Sequence, residues 1–297
     1  MYLSRVTLKP DIGRNSQLGR LLQSNTYGTH QLLWDLFDQG KRDFLYREEV
    51  AKEQLSKHVG AKGEPVYYVL STVIPNGDTP LFNVESKEYR PQFQVGQHLA
   101  FRLTANPVVT RDKKRSDLVM DEQLAFLRHS CTDLGLPSQG SKRELSAQLL
   151  DSRRSSAVLD YLCSYLSQSR YRSEIVKERR NDVLLGLAIQ EAVSRRLLKW
   201  LAHNPSRAGL FSILERELED DYCDSEISVP VLQWQSYRTH PLPQKDVGHR
   251  KQQARFLSVD MSGELMVKEP DGFLDMIKHG IGPAKAFGCG LMLIRRL

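Results

Sequence analysis

Two side chains near the N-terminus have the chemistry of an acid–base pair. Tyr27 and His30 are three residues apart in the stretch TYGTHQLLWDLF, so that on a helix both rings would project from nearly the same face. A histidine can accept a proton from a nucleophilic hydroxyl group or donate one to a leaving oxygen, and a tyrosine can orient the reacting group by a hydrogen bond. Such a pair is more often structural than catalytic, and the spacing alone leaves both roles open.

A second candidate is the glycine-rich stretch HGIGPAKAFGCGL close to the C-terminus. Clustered glycines indicate positive φ angles or the close approach of a second backbone. With Lys285 in its centre, the stretch could also lay a phosphate group against backbone N–H groups. Gly280 could simply end a helix, but that explanation leaves Gly282, Gly288 and Gly290 unaccounted for. The stretch therefore predicts either a tight turn or a phosphate-binding loop.

The sequence contains no recognisable metal-ligand set. Its eight histidines include no pair at i, i+4 spacing and no H-E-x-x-H motif, and its four cysteines include no C-x-x-C pair. We therefore predict no metal and no other cofactor, and we do not expect a metal-dependent nuclease.

Charge and hydropathy restrict the class of partner. The chain has 42 Lys and Arg against 36 Asp and Glu, a mild basic excess that suits an anionic partner without requiring one. No apolar run approaches the roughly 18 residues of a membrane span, and the N-terminus lacks the apolar segment of a signal peptide. We expect a cytoplasmic protein with no membrane partner.

The first 110 or so residues alternate between strand and helix patterns. Strands are predicted in YLSRVTLKP, RDFLYREEV, PVYYVLSTVI and QHLAFRLTANPVV, and a helix is predicted around Leu32, Leu33, Leu36 and Phe37. This βαββ order with a final strand is typical of a ferredoxin-like sandwich.

The second half repeats that order once a helical segment is set aside. Its predicted elements are a short strand in RDKKRSDLVMD, a long amphipathic helix over Leu184–Trp200, strands in ISVPVLQWQSYR and ARFLSVDMSGELMV, a helix in DGFLDMIKH and a closing strand in CGLMLIRRL. We predict an α+β protein with two tandem ferredoxin-like (RRM-like) βαββαβ domains, over residues 1–111 and 112–297, the second carrying a helical insertion at 122–178.

The insertion begins with a predicted helical hairpin. In EQLAFLRHSCTDLGLPSQGSKRELSAQLLD, two helices flank a Gly-Leu-Pro turn, and Ser141 with Glu144 three residues later predicts a capping box. The hairpin resembles the SAP motif, a small element used on DNA or structured nucleic acid. It could equally only bury its own leucines or contact a protein, so that a DNA contact and a protein contact both stay open.

Several stretches together resemble one known family. The strand MYLSRV, the stretches TYGTHQLLWDLF, FRLTANPV and KKRSDLVMD, and above all GIGPAKAFGCGLMLIRRL resemble, in this order, the CRISPR repeat endoribonucleases of type I-E systems, the CasE family. Residues 122–178 depart from ordinary members, which leaves their role open. The resemblance implies a metal-independent ribonuclease that cleaves precursor CRISPR RNA at the base of the repeat hairpin and stays bound to the crRNA as a subunit of Cascade, with the other Cascade subunits as partners.

The resemblance also assigns roles to individual residues. The histidine of the family's first helix corresponds to His30 and its tyrosine to Tyr27, and the family's glycine-rich loop corresponds to 280–290. The ribose 2′-hydroxyl group would attack the scissile phosphate and leave a 2′,3′-cyclic phosphate, with His30 as general base or general acid. The alternative is a non-catalytic RNA-binding or DNA-contacting subunit of the same kind of complex.

Basic residues are the candidates for RNA contact. Because the turn after His30 offers no lysine or arginine, the charge that stabilises a phosphorane must come from elsewhere, and the candidates are Lys41, Arg42, Arg102 and Lys285. The polar arm QKDVGHRKQQAR lies between two predicted strands. It could bind the phosphates of an RNA hairpin through Lys245, His249, Arg250, Lys251 and Arg255. Both sets could also be ordinary solvated charges.

Overall fold

The computed structural model describes most of the chain, in two compact units. The described residues are 1–9, 26–37, 43–50, 65–111, 114–151, 153, 155–218, 226–241 and 255–297. The first unit comprises Met1–Asn106, Gln235–Ser262 and Glu269–Leu297, and the second comprises Pro107–Trp234 and Gly263–Lys268.

The elements are numbered along the chain. The strands are β1 (Tyr2–Leu8), β2 (Phe44–Val50), β3 (Pro65–Ser71), β4 (Phe82–Glu88), β5 (His98–Ala105), β6 (Val108–Arg111), β7 (Lys114–Asp117), β8 (Phe211–Ile213), β9 (Glu215–Leu218), β10 (Ile227–Pro230), β11 (Leu232–Pro241), β12 (Arg255–Val267) and β13 (Met292–Arg296). The helices are α1 (Thr26–Trp34), α2 (Leu118–Asp133), α3 (Lys142–Leu149), α4 (Ser155–Leu166), α5 (Arg172–Lys177), α6 (Asn181–Ala202) and α7 (Pro270–His279), and a short 3-10 turn covers Lys285–Phe287.

The first sheet has the strand order of a ferredoxin-like fold. Its strands lie in the order β2-β3-β1-β4, with every neighbouring pair antiparallel. Leu33 of α1 and Leu36, just after the helix, are buried with Val6, Tyr67 and Phe82 of the sheet, which forms one apolar core beneath the helix. The segment between β3 and β4 is described throughout and contains no helix, so this half lacks the second crossover helix of the predicted βαββαβ pattern.

The second sheet has the same strand order, but it begins with a strand that we had assigned to the first. Four of its five strands lie in the order β11-β12-β5-β13, and the fifth, β8, pairs with β12. Strand β5 pairs antiparallel with β13 from Leu103–Met292 to Leu99–Arg296. The prediction that β5 completes the first sheet is therefore wrong. The alternation of buried residues in β5 shows that one face is covered, but it carries no information about which strand will pair with it.

The short strand predicted to open the second half, β7, is also placed differently. Among the described strands it pairs with β6 alone, in a two-stranded sheet of the second unit. The chain is thus an α+β protein with two ferredoxin-like sheets. Its helical segment lies, in the sequence, between β5 and β11 of the second sheet. The boundaries at 111, 122 and 178 stay predictions.

The second unit is built around a helical core. Leucines and other apolar residues of α2, α3, α4 and α6 are buried together, among them Leu127, Leu145, Leu162 and Leu184. The capping box before α3 is confirmed, because the Ser141 N–H donates to the Glu144 carboxylate (2.7 Å) and the Glu144 N–H donates to the Ser141 hydroxyl group (3.3 Å). The predicted hairpin is therefore present, and it shares its core with the long helix α6.

The structure contains no candidate membrane span among its described helices. None of them combines the length and the apolarity that a crossing requires.

Candidate functional site

His30 lies on α1 and is buried among aromatic rings. Its side chain is only 6% exposed. The imidazole ring is stacked at 5.5 Å on Phe44 of β2, meets the edge of Trp34 at 5.4 Å and lies 6.3 Å from the ring of Tyr46. Contacts with these three rings restrict the rotation of the imidazole.

The predicted partner of His30 is described only in part. The backbone of Tyr27 lies in the first turn of α1, but its side chain is outside the described residues. The joint role of Tyr27 and His30 therefore stays a prediction.

The glycine-rich loop packs against the elements that carry His30 and its neighbours. The 3-10 turn Lys285–Phe287 contacts both α1 and β2. The hydroxyl group of Tyr46 donates a hydrogen bond to the carbonyl oxygen of Ala286 at 3.3 Å, although the two residues are 240 positions apart in the chain. The fold thus brings the two stretches that we had selected from the sequence to one place in the first unit.

Two glycines of this loop are required by contacts within the protein. Gly288 has a φ of 78°, and a Cβ atom there would lie 3.1 Å from the ring of Tyr46. Gly290 has a φ of 97°, and a Cβ atom there would lie 3.0 Å from the backbone oxygen of Ile281. The Gly290 N–H donates to the carbonyl oxygen of Thr104 at 2.8 Å, so that the loop is tied to β5. These glycines set the path of the loop, and their contact with RNA stays a prediction.

The other predicted residues of the glycine-rich loop are Gly280, Gly282 and Lys285. Gly280 ends α7, with its N–H donating to Met276 at 2.9 Å, and Gly282 has a φ of 78°. The ammonium group of Lys285 donates to the carbonyl oxygen of His279 at 2.5 Å, which neutralises part of the negative end of α7. Lys285 therefore fastens the loop to the helix that precedes it.

The remaining predicted contacts are partly described. Arg102 on β5 has a side chain that is 65% exposed and forms an ion pair with Glu49 at 3.6 Å, and Arg255 is exposed at the start of β12. The predicted residues that lie outside the described part of the chain are Lys41, Arg42, Lys245, His249, Arg250 and Lys251.

A buried ion network next to the loop was missed by the sequence analysis. The side chain of Arg47 on β2 is 7% exposed and bonds to Glu49 (2.6 Å) and to the hydroxyl group of Thr104 (2.8 Å), with Asp260 at 3.9 Å. The same Thr104 accepts the Gly290 N–H through its carbonyl oxygen. Arg47 thus links β2 to the strand that anchors the loop. Nothing in RDFLYREEV distinguishes this arginine from an exposed charge on a strand.

The described residues contain no cluster that could hold a metal ion. Among them, no three or more His, Cys, Asp or Glu side chains come together.

Comparison with known proteins gives one consistent result. A family model described as CRISPR associated protein matches residues 1–296. The CRISPR system Cascade subunit CasE of Escherichia coli (strain K12) is 25% identical over 305 residues, with 100% of both chains covered.

Solved structures agree with the fold. A structure of the CRISPR endoribonuclease Cse3 bound to a 19-nucleotide RNA is 20% identical with a TM-score of 0.55, covering 99% of this chain and 100% of that one. A second structure of Cse3 with such an RNA is 18% identical with a TM-score of 0.50, covering 99% of this chain and 97% of that one. These similarities support the two ferredoxin-like sheets.

Proposed function

Because the chain belongs to the family of CRISPR associated proteins, we propose that it is an endoribonuclease that processes CRISPR RNA as a subunit of Cascade. Two similarities support this proposal: the relative CasE is named as a Cascade subunit, and Cse3 is named as an endoribonuclease and has been solved with RNA. The observation that carries it is the position of His30, held by three rings on a helix that contacts the glycine-rich loop.

The proposed reaction cuts precursor CRISPR RNA at the base of the repeat hairpin without a metal ion. The ribose 2′-oxygen upstream of the cut forms a bond to phosphorus, and the bond from phosphorus to the 5′-oxygen of the next nucleotide breaks. The 2′-hydroxyl group loses its proton and the 5′-oxygen gains one, which leaves a 2′,3′-cyclic phosphate and a 5′-hydroxyl group. His30 transfers one of these protons, and Tyr27 orients the ribose or the phosphate.

The phosphorane formed on this path requires a positive charge or N–H donors. Of the four candidates, Lys285 has the best support, because its turn contacts the helix of His30. Its ammonium group donates to a backbone carbonyl oxygen, and a charged phosphate oxygen is a stronger acceptor than a neutral carbonyl oxygen. Gly280, Gly282, Gly288 and Gly290 would bring the loop close to the RNA backbone.

The RNA stem and the other subunits are the proposed partners. Arg102, Arg255 and the arm residues Lys245, His249, Arg250 and Lys251 would grip the hairpin through its phosphates. The cleaved crRNA would stay bound and hold the protein in Cascade in the cytoplasm, where the precursor is transcribed. A contact of the helical insertion with DNA or protein is part of the same proposal, and the resemblance of the hairpin of α2 and α3 to the SAP motif supports it.

Incubation with the repeat RNA of the protein's own CRISPR array tests this function. We expect one cut at the base of the hairpin, with the hairpin-bearing product eluting together with the protein. A matched RNA in which one strand of the stem is scrambled should bind more weakly and stay uncut. Cutting at many positions in both RNAs, or no cutting of either, would rule out the proposed function.

A further inference from the structure

Three rings from separate elements form a stack on the second sheet, which we call the ring stack: His240, Phe256 and Phe287. The rings of His240 on β11 and Phe256 on β12 are 4.6 Å apart and 14° from parallel. Phe287, in the 3-10 turn of the glycine-rich loop, lies against Phe256 at 4.8 Å with its ring tilted by 34°. All three side chains are partly exposed, unlike the fully buried rings under α1.

The ring of His240 is held in place by a polar contact. Its Nε2 lies 2.7 Å from the hydroxyl oxygen of Ser258 on the neighbouring strand. Burial, together with the nearby charge of Arg238, lowers the pKa of His240 below its usual value, which favours the neutral ring at neutral pH.

Exposed guanidinium groups share this face of the sheet with the ring stack. Arg238 lies two residues before His240 on β11 and therefore on the same face; its side chain is 63% exposed and is held 3.6 Å from Asp260. Arg102 on β5 is 65% exposed and pairs with Glu49. Each group is oriented by a carboxylate and still open to solvent, so it can bind a phosphate oxygen.

We propose that the ring stack is the docking site for one unpaired nucleobase of the bound RNA, with Arg238 contacting the phosphate beside it. Partly exposed aromatic rings next to positive charges on a β-sheet bind single-stranded RNA in many proteins, because every base offers a flat face for stacking. The inference rests on the proposed function, since it requires that the chain binds the repeat RNA.

The position of Phe287 indicates which nucleotide is bound. The turn that carries Phe287 contacts α1, the helix of His30. An RNA whose cut site lies at His30 therefore has its neighbouring unpaired nucleotides within reach of the ring stack. The base that docks is one of those flanking the base of the hairpin.

The test uses repeat RNA in which each unpaired nucleotide flanking the hairpin is replaced in turn by 2-aminopurine, whose fluorescence is quenched on stacking. A single 2′-deoxy nucleotide before the cut keeps the RNA intact. We expect the unaltered protein to quench the 2-aminopurine fluorescence at one position. His240→Ala should not quench it, and His240→Phe should restore the quenching. His240→Ala should weaken binding by about 5- to 100-fold, the usual effect of removing one stacking ring.

Two controls separate stacking from a structural effect. Thr239→Ala, on the opposite face of β11 and exposed, should change neither the affinity nor the quenching. An abasic nucleotide at the quenched position should weaken binding to the unaltered protein. The His240→Ala variant should bind the abasic and the intact RNA with equal affinity.

The outcomes distinguish this inference from the function on which it rests. If the unaltered protein cuts and binds the hairpin but quenches no position, or if His240→Ala weakens abasic and intact RNAs equally, the docking site is wrong and the function stands. If the unaltered protein does not bind the repeat RNA, both are overturned.

Discussion

Replacing His30 by alanine should slow cleavage of the repeat RNA by about 10²- to 10⁴-fold, the usual contribution of one general acid or base, and should leave hairpin binding near its original strength. The reason is that His30 transfers a proton only in the transition state, whereas the stem is gripped through phosphates elsewhere. Single-turnover cleavage with protein in excess measures the rate, and fluorescence anisotropy with uncleavable RNA measures the affinity.

Two further variants separate catalysis from packing. His30→Gln fills more of the space between Phe44 and Trp34 than alanine does and cannot act as an acid or base near neutral pH, so it should be as slow as His30→Ala. His98→Ala removes an exposed histidine from β5 of the same unit and should cut at the original rate. Near-normal cleavage by either His30 variant would show that the catalytic assignment is wrong.

Among substitutions of ion-paired residues in the first unit, Arg47→Met should lower the free energy of unfolding most. Its side chain is 7% exposed, and its loss leaves Glu49 and Asp260, which are 20% and 23% exposed, without their shared partner. Removing one member of a buried pair costs about 3–5 kcal/mol, and here we expect about 3 kcal/mol because Arg102 and Arg238 still face the two carboxylates. In thermal unfolding, the midpoint temperature of Arg47→Met should be lower than that of the unaltered protein by roughly 6–10 °C.

The matched control for Arg47 is an exposed pair in the same unit. Arg5 and Glu85 are 3.4 Å apart on neighbouring strands, with side chains 48% and 70% exposed. Solvent screening limits such a pair to less than about 1 kcal/mol, so Arg5→Met should melt close to the original temperature. Equal losses for Arg47→Met and Arg5→Met would contradict the role assigned to the buried network.

The sequence was sufficient for the local features of the fold and of the site. The capping box of Ser141 and Glu144, the long helix α6 and the helix that carries His30 all follow from patterns within a few residues of one another. Capping and helix periodicity depend on neighbours in the chain, which a single sequence displays directly.

Features that depend on distant pairing could not be predicted in the same way. The alternation of β5 fits either sheet, so only the structure shows that it pairs with β13. The pairing of Arg47 with Thr104 and the packing of Gly288 against Tyr46 join residues far apart in the chain. The cluster of four glycines predicts positive φ angles or a close backbone approach, but it does not indicate that Tyr46 and Ile281 are the residues approached.

The most direct test of the central claim is cleavage of the repeat RNA in EDTA, beside an RNA that carries one 2′-deoxy nucleotide immediately upstream of the cut. Attack by the 2′-hydroxyl group without a metal ion predicts that the first RNA is cut at its usual rate and ends in a 2′,3′-cyclic phosphate, and that the second is bound but not cut. Loss of cleavage in EDTA, or cutting of the 2′-deoxy RNA, would contradict the proposed mechanism.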